Sequence, residues 1–177
     1  EKLVEIQPIG TDSGVIVWQW RAWDHLVQDA DSTKPNYGVI ADHPELLDIN
    51  MGVLNSTTSD WLHFNSLDYN AELDQIMVSS HEVSEVYIID HSTTMEEAAS
   101  HTGGNSGRGG DLLYRWGNPQ NYDRGTAEDQ KFFEQHNLHW ISSTGRTLLF
   151  NNGVGRPGDD YSTVETFVIP AMVGNNY

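Results

Sequence analysis

Short apolar runs, each closed by turn-forming residues, dominate the chain, and their period is that of β-strands. Segments such as Gly14 to Trp20 and Val83 to Asp90 are rich in Val, Ile, Tyr and Trp, and Gly, Asn, Asp and Ser cluster between segments. The pattern predicts strands at Lys2 to Ile9, Gly14 to Trp20, Trp61 to Tyr69, Gln75 to Ser80, Val83 to Asp90 and Asp111 to Trp116. Further strands follow near Leu138, Thr147 and Thr163. Pro44 to Asp48 predicts one helical turn and Glu128 to Gln135 a short helix. The connections from Arg21 to Ser59 and from His91 to Gly110 are long, as functional or disordered loops are.

Two stretches repeat one order. The first runs from His63 through Tyr69, Gln75 to Ser80 and Glu85 to Asp90. The second runs from His136 through Ile141, Thr147 to Asn152 and Thr163 to Ile169, and the two histidines lie 73 residues apart. Gly14 to Trp20 and Asp111 to Trp116 both end in Trp and lead into long polar segments. Recurring sheets of four short strands predict an all-β fold, a portion of a β-propeller of about two blades of four-stranded antiparallel sheet with long loops. Residues 1–20 would end one blade, 60–116 would form a full blade, and 136–170 most of the next, within a single partial propeller domain at 1–177. A ring typically needs about four to eight blades. Further blades or additional chains are therefore expected to close it.

Charge narrows the partners. Nine Lys and Arg against 26 Asp and Glu give a formal charge of -17, which repels nucleic acid and anionic membrane surfaces alike. Such a surface more often serves solubility than cation binding. With no cysteine there is no disulfide, zinc–thiolate site or cysteine nucleophile. No apolar run reaches membrane-span length, and Glu1-Lys2-Leu3 lacks a signal-peptide layout.

Candidate chemistry concentrates in two motifs. On an alternating strand, His63 and Asn65 share one face of Asp60-Trp61-Leu62-His63-Phe64-Asn65-Ser66, with Leu62 and Phe64 on the other. Taken alone, His63 reads as readily as a histidine satisfying a buried backbone group. His136 holds the corresponding place on the next inner strand, and equivalent positions on adjacent blades converge on the propeller axis. In Phe150-Asn151-Asn152-Gly153-Val154-Gly155-Arg156, a strand ends in a tight turn. There Arg156, one of nine basic residues, either clamps an oxyanion or pairs with Asp159 or Asp160. The loop from Gly103 to Asp111 lacks the Gly-Lys-Ser/Thr ending of a phosphate cradle and reads as flexible, with Arg108 a weak anion-site candidate. Asp24–His25 and Asp90–His91 read as carboxylate–imidazole pairs. No zinc or EF-hand spacing is present; a structural Ca²⁺ would suit so acidic a chain, but no motif specifies one.

Taken in order, Asp60-Trp61-x-His63-x-Asn65-Ser66, Ile88-Ile89-Asp90-His91-Ser92, Leu113-Tyr114-Arg115-Trp116-Gly117, Gln135-His136 and Phe150-Asn151-Asn152-Gly153-x-Gly155-Arg156 resemble the bacterial arylsulfate sulfotransferase family, six-bladed propellers. The resemblance covers nearly the whole chain. It implies sulfuryl transfer from a phenolic sulfate ester to a phenol, without a nucleotide donor or other cofactor, in the periplasm or outside the cell. It also implies a sulfated-histidine intermediate, with His63, His136 and Arg156 binding the sulfuryl oxygens. Asp60, Asn65, His139 and Asn152 would support that site, and Trp61, Trp140 or Tyr161 would flank an aromatic ring. The family's nucleophilic histidine lies C-terminal to the Gly-Arg motif. No histidine follows His139 here, so no catalytic nucleophile is expected within this chain. The alternative is a non-catalytic secreted propeller used for binding or assembly.

Overall fold

The computed structural model describes residues 1–51, 60–159, 161–174 and 177. A hairpin of β1 (Lys2–Ile9) and β2 (Ser13–Arg21) comes first, followed by a two-residue parallel pair, β3 (Leu26–Val27) with β4 (Leu47–Asp48). Next are β5 (Phe64–Asn70), β6 (Gln75–Ser80), β7 (Glu85–Asp90) and β8 (Tyr114–Trp116), one antiparallel four-stranded sheet in that order. A last antiparallel sheet holds β9 (His136–Ile141), β10 (Arg146–Asn151) and β11 (Thr163–Phe167), with β9 at one edge. The fold is all-β apart from single helical turns, and its sheets have the strand order expected of part of a propeller. Among the described residues, no helix is long and apolar enough to cross a membrane.

Period-2 alternation explains why β6 and β7 are buried throughout. Ile76, Val78, Tyr87 and Ile89 face one way and join Leu3, Trp18 and Trp20 of the first hairpin in one core. Met77, Val86 and Ile88 face the other way and join Phe132, Leu138 and Leu149 in a second. Each middle strand is thus covered on both faces by a neighbouring sheet, which is why its sequence reads as a nearly unbroken apolar run.

The two sheets meet at their inner edges through side chains. Ser66 Oγ accepts the Leu138 N–H at 2.9 Å, and Asp68 Oδ2 accepts the Trp140 N–H at 2.7 Å. These amides face away from β10, so β5 satisfies the edge of β9 without adding a ladder. Because Leu138 is buried, Ser66→Ala would strand its N–H. The expected cost is about 1–3 kcal/mol, read as a lower urea midpoint with an unchanged slope; an unchanged midpoint would show the contact to be dispensable.

Several local expectations change. Neither short helix forms as drawn: a 3₁₀ turn spans Ala127–Asp129, and residues 130–135 run without helix. Leu47 and Asp48 form β4, so Pro44 and Glu45 make only a turn, closed by the Leu46 N–H on the His43 carbonyl. The glycine-rich loop is pinned rather than loose. Asp90 Oδ2 accepts the Ser106 N–H at 2.8 Å, and Ser92 Oγ accepts the Asn105 N–H at 2.7 Å.

Candidate functional site

Three imidazoles meet where the two sheets come together, with His81 touching the other two rings at tilted and edge-on angles. His63 lies 5.0 Å from His81 between ring centroids, and His81 lies 4.9 Å from His136. His63 precedes β5, His81 opens the turn after β6, and His136 begins β9. The backbone sets this up: His63 adopts a left-handed conformation with φ 49°, and Glu134 another with φ 56°. Each is unusual for a residue with a side chain and costs about 1–2 kcal/mol. The cost buys side-chain direction, since β5 starts only at Phe64 and His63 leaves the strand plane.

The ring nitrogens are held in a definite sense. Asp60 accepts from His63 Nδ1 at 2.5 Å, and the Glu134 carbonyl accepts from His136 Nδ1 at 3.2 Å. Both contacts fix the hydrogen on Nδ1 and leave Nε2 as the nitrogen without a partner among the described residues. His81 is bound at Nδ1 by Glu82 at 3.0 Å, and its Nε2 lies 3.5 Å from a Glu134 carboxylate oxygen. His63 is half exposed (43 %) whereas His81 is largely covered (15 %). Its place between the other two is therefore that of a spacer.

Gln135 locks the segment that carries His136. Its fully buried amide donates toward Ser79 Oγ, the Ser80 carbonyl and the Glu85 carbonyl at 2.9–3.0 Å. Asn65 donates to the Gln135 carbonyl at 2.7 Å, so it supports the histidine row through the backbone and does not share a face with His63. Arg156 sits beside this segment. Its guanidinium lies over Phe133 (5.4 Å to the ring centre) and Tyr161 (4.6 Å), with Thr163 Oγ1 accepting at 3.2 Å.

The structure thus sets His63 and His136 each against His81 and puts Arg156 on Phe133, within the segment that leads into β9. The nearest carboxylate to Arg156 is Glu165 at 3.6 Å, not Asp159; Asp160 lies outside the described residues. Glu165 is two residues along β11 in a motif the turn signal does not reach. The Arg156 guanidinium Nε is buried without a hydrogen-bond partner among the described residues. Asn152 contributes its carbonyl to Ser162 Oγ, and His139 Nδ1 donates to the Asn137 carbonyl. Trp61 donates its indole N–H to the Met51 carbonyl and packs on the first core, while Trp140 packs on the second. The two adjacent-residue pairs expected from sequence are not formed. Asp24 binds Arg21, His25 binds Asp111, and His91 binds Asp74 and Glu5. His81 carries no signal in the sequence: the pairing of β6 with β5 and the His81 N–H on the His63 carbonyl place it beside His63.

Against models of protein families, residues 5–169 match the arylsulfotransferase (ASST) family. The chain belongs to the arylsulfotransferase family. A search of curated proteins and one of solved structures each return no match. The family match spans His63, His81, His136 and the Gly-Arg turn, so the site lies within the arylsulfotransferase region.

Proposed function

We propose that this chain carries the oxyanion-binding half of a nucleotide-independent arylsulfate sulfotransferase. The observation that carries the reading is the row at the sheet junction, in which His63 and His136 each have Nδ1 tied to an oxygen and Nε2 left available. Once protonated, two such imidazoles would offer cationic donors to a group whose charge spreads over equatorial oxygens in transfer, and Arg156, packed on the segment that leads into His136, would add a third.

In the first displacement a histidine nitrogen supplied outside this chain attacks sulfur, an N–S bond forms, and the aryl O–S bond breaks. The leaving phenolate then takes up a proton. In the second, an acceptor phenol oxygen attacks sulfur, the N–S bond breaks, and the phenol proton passes to solvent or a base. Tyr161 and Trp140 supply aromatic surface near the Arg156 turn and on β9. Phenolic sulfates and phenols are the substrates in this reading, and its location is the periplasm or the outside of the cell.

Ring closure by further strands belongs to the same proposal. It is supported by the second edges of β1 and β11, which pair with nothing among the described residues. Exposed Val4, Ile6, Val15 and Ile16 on the first hairpin support it too. The test incubates the intact protein with 4-nitrophenyl sulfate and a phenol acceptor. The expected result is nitrophenol release dependent on the acceptor, with a sulfated histidine seen by intact mass after quenching. Absence of both would leave a binding module in place of an enzyme.

A further inference from the structure

A second histidine cluster lies away from the row at the sheet junction. His25 Nδ1 and His101 Nδ1 both point at one oxygen of Asp111, at 2.8 and 2.7 Å. The two rings are nearly perpendicular, 5.8 Å apart between centroids. His25 is fully buried, Asp111 is 9 % exposed and His101 is 59 % exposed at its side chain.

The environment of His25 argues for more than a hydrogen bond. Its Nε2 faces the Ala98 carbonyl at 2.9 Å while its Nδ1 faces the carboxylate. A neutral imidazole has one N–H, so one of these two oxygen contacts meets a lone pair. Metal ligation is one arrangement that resolves this: one nitrogen donates to a backbone carbonyl and the other binds the ion.

The supporting shell is built. Trp20 stacks on the His25 ring at 5.4 Å, only 1° from parallel, and donates its indole N–H to the Gly110 carbonyl at 2.6 Å. A Cβ at position 110 would lie 2.2 Å from the Ala98 carbonyl oxygen and 2.6 Å from His25 Nε2, so only glycine permits this approach.

We propose that His25, His101 and Asp111 form a site for a divalent transition-metal ion, Zn²⁺ by its two-nitrogen, one-carboxylate donor set. The three donor atoms already lie within 4.8 Å of one another. A tetrahedral ion with bonds of about 2.0–2.2 Å needs its donors about 3.4 Å apart. Rotation of the exposed His101 side chain widens its own contact, and a turn of the Asp111 carboxylate has to widen the buried His25–Asp111 contact from 2.8 Å. His101 also lines a cavity of about 730 Å³ with Trp23, Tyr37 and His43, which gives the fourth position to water. The net charge of -17 favours a cation. The site ties the segment after β2 to the loop before β8, and it is independent of the sulfuryl-transfer reading.

The test uses the intact protein stripped with chelator and titrated with Co²⁺ and Zn²⁺ in excess Mg²⁺, which occupies carboxylate-only surface sites. One ion per chain is expected, with the d–d absorption of four- or five-coordinate Co²⁺ and a thermal midpoint raised by Zn²⁺. His101→Ala, exposed and therefore compatible with folding, and Asp111→Asn should each weaken binding at least about tenfold. His81→Ala should leave it unchanged. Absence of a stoichiometric Co²⁺ spectrum, equal affinity in His101→Ala, or loss only in His81→Ala would overturn the assignment.

Discussion

Glu85→Ala is expected to cost about 3–5 kcal/mol of folding stability, the loss typical when one partner of a buried ion pair is removed. Glu85 and Arg115 pair across β7 and β8 with side chains 0 % and 4 % exposed, both guanidinium Nε and Nη2 meeting the carboxylate. Tyr87 Oη and Asn121 Nδ2 also donate to that carboxylate. Arg115 Nη1 donates to the Leu46 carbonyl at 2.9 Å and the Pro44 carbonyl at 3.4 Å, and the guanidinium lies 4.2 Å from the centre of the Tyr122 ring. Removing the carboxylate leaves a buried cation with only neutral partners. Burial works to lower the Arg115 pKa and the Glu85 carboxylate holds it raised; with that carboxylate gone the guanidinium still keeps its proton, because arginine does not deprotonate in proteins. The double variant Glu85→Leu with Arg115→Met should recover much of the loss, since an apolar pair of similar volume removes the uncompensated charge. Urea unfolding of the three variants measures both effects. A loss near 1 kcal/mol in Glu85→Ala would show that water or a neighbouring group reaches the cation.

That network shows where the sequence is mute. The strands of the two sheets are legible because alternation and turn residues are local signals, and β6 and β7 lie where their apolar runs fall. His63 and His136 stand out in the sequence because they lie 73 residues apart in a repeated strand order, and the structure sets both rings against His81. The pairing of Glu85 with Arg115, 30 residues apart, is set by sheet register and leaves no mark in composition. The same holds for His25 and Asp111, 86 residues apart: ligand-spacing motifs detect sites built on one local segment, and this cluster is assembled by a long crossover. His81 has no counterpart to betray it, since Asn152 and Gly153 follow the middle strand of the second sheet. The left-handed backbone at His63 defeated simple alternation, because one residue with φ 49° resets which face the next side chain takes.

His136→Ala is expected to lower kcat for aryl sulfate cleavage by about 10²–10³-fold, the usual loss when one preorganised donor to a developing oxyanion is removed. The fold should survive, because the side chain of His136 makes only one hydrogen bond, to the Glu134 carbonyl, among the described residues, and Gln135 holds the segment without it. His136→Gln, which keeps an N–H near the Nε2 position, should recover part of the rate. His81→Phe separates positioning from direct binding. It keeps an aromatic spacer between His63 and His136, so a spacer role predicts a small change in kcat and little in KM, whereas a donor role predicts a loss like that of His136→Ala. The His63→Ala, His136→Ala double variant should lose less than the product of the single losses, because two donors on one group act as a unit. Full rates in His136→Ala, with unchanged stability, would place the sulfuryl group elsewhere and reduce the histidine row to a packing feature of the sheet junction.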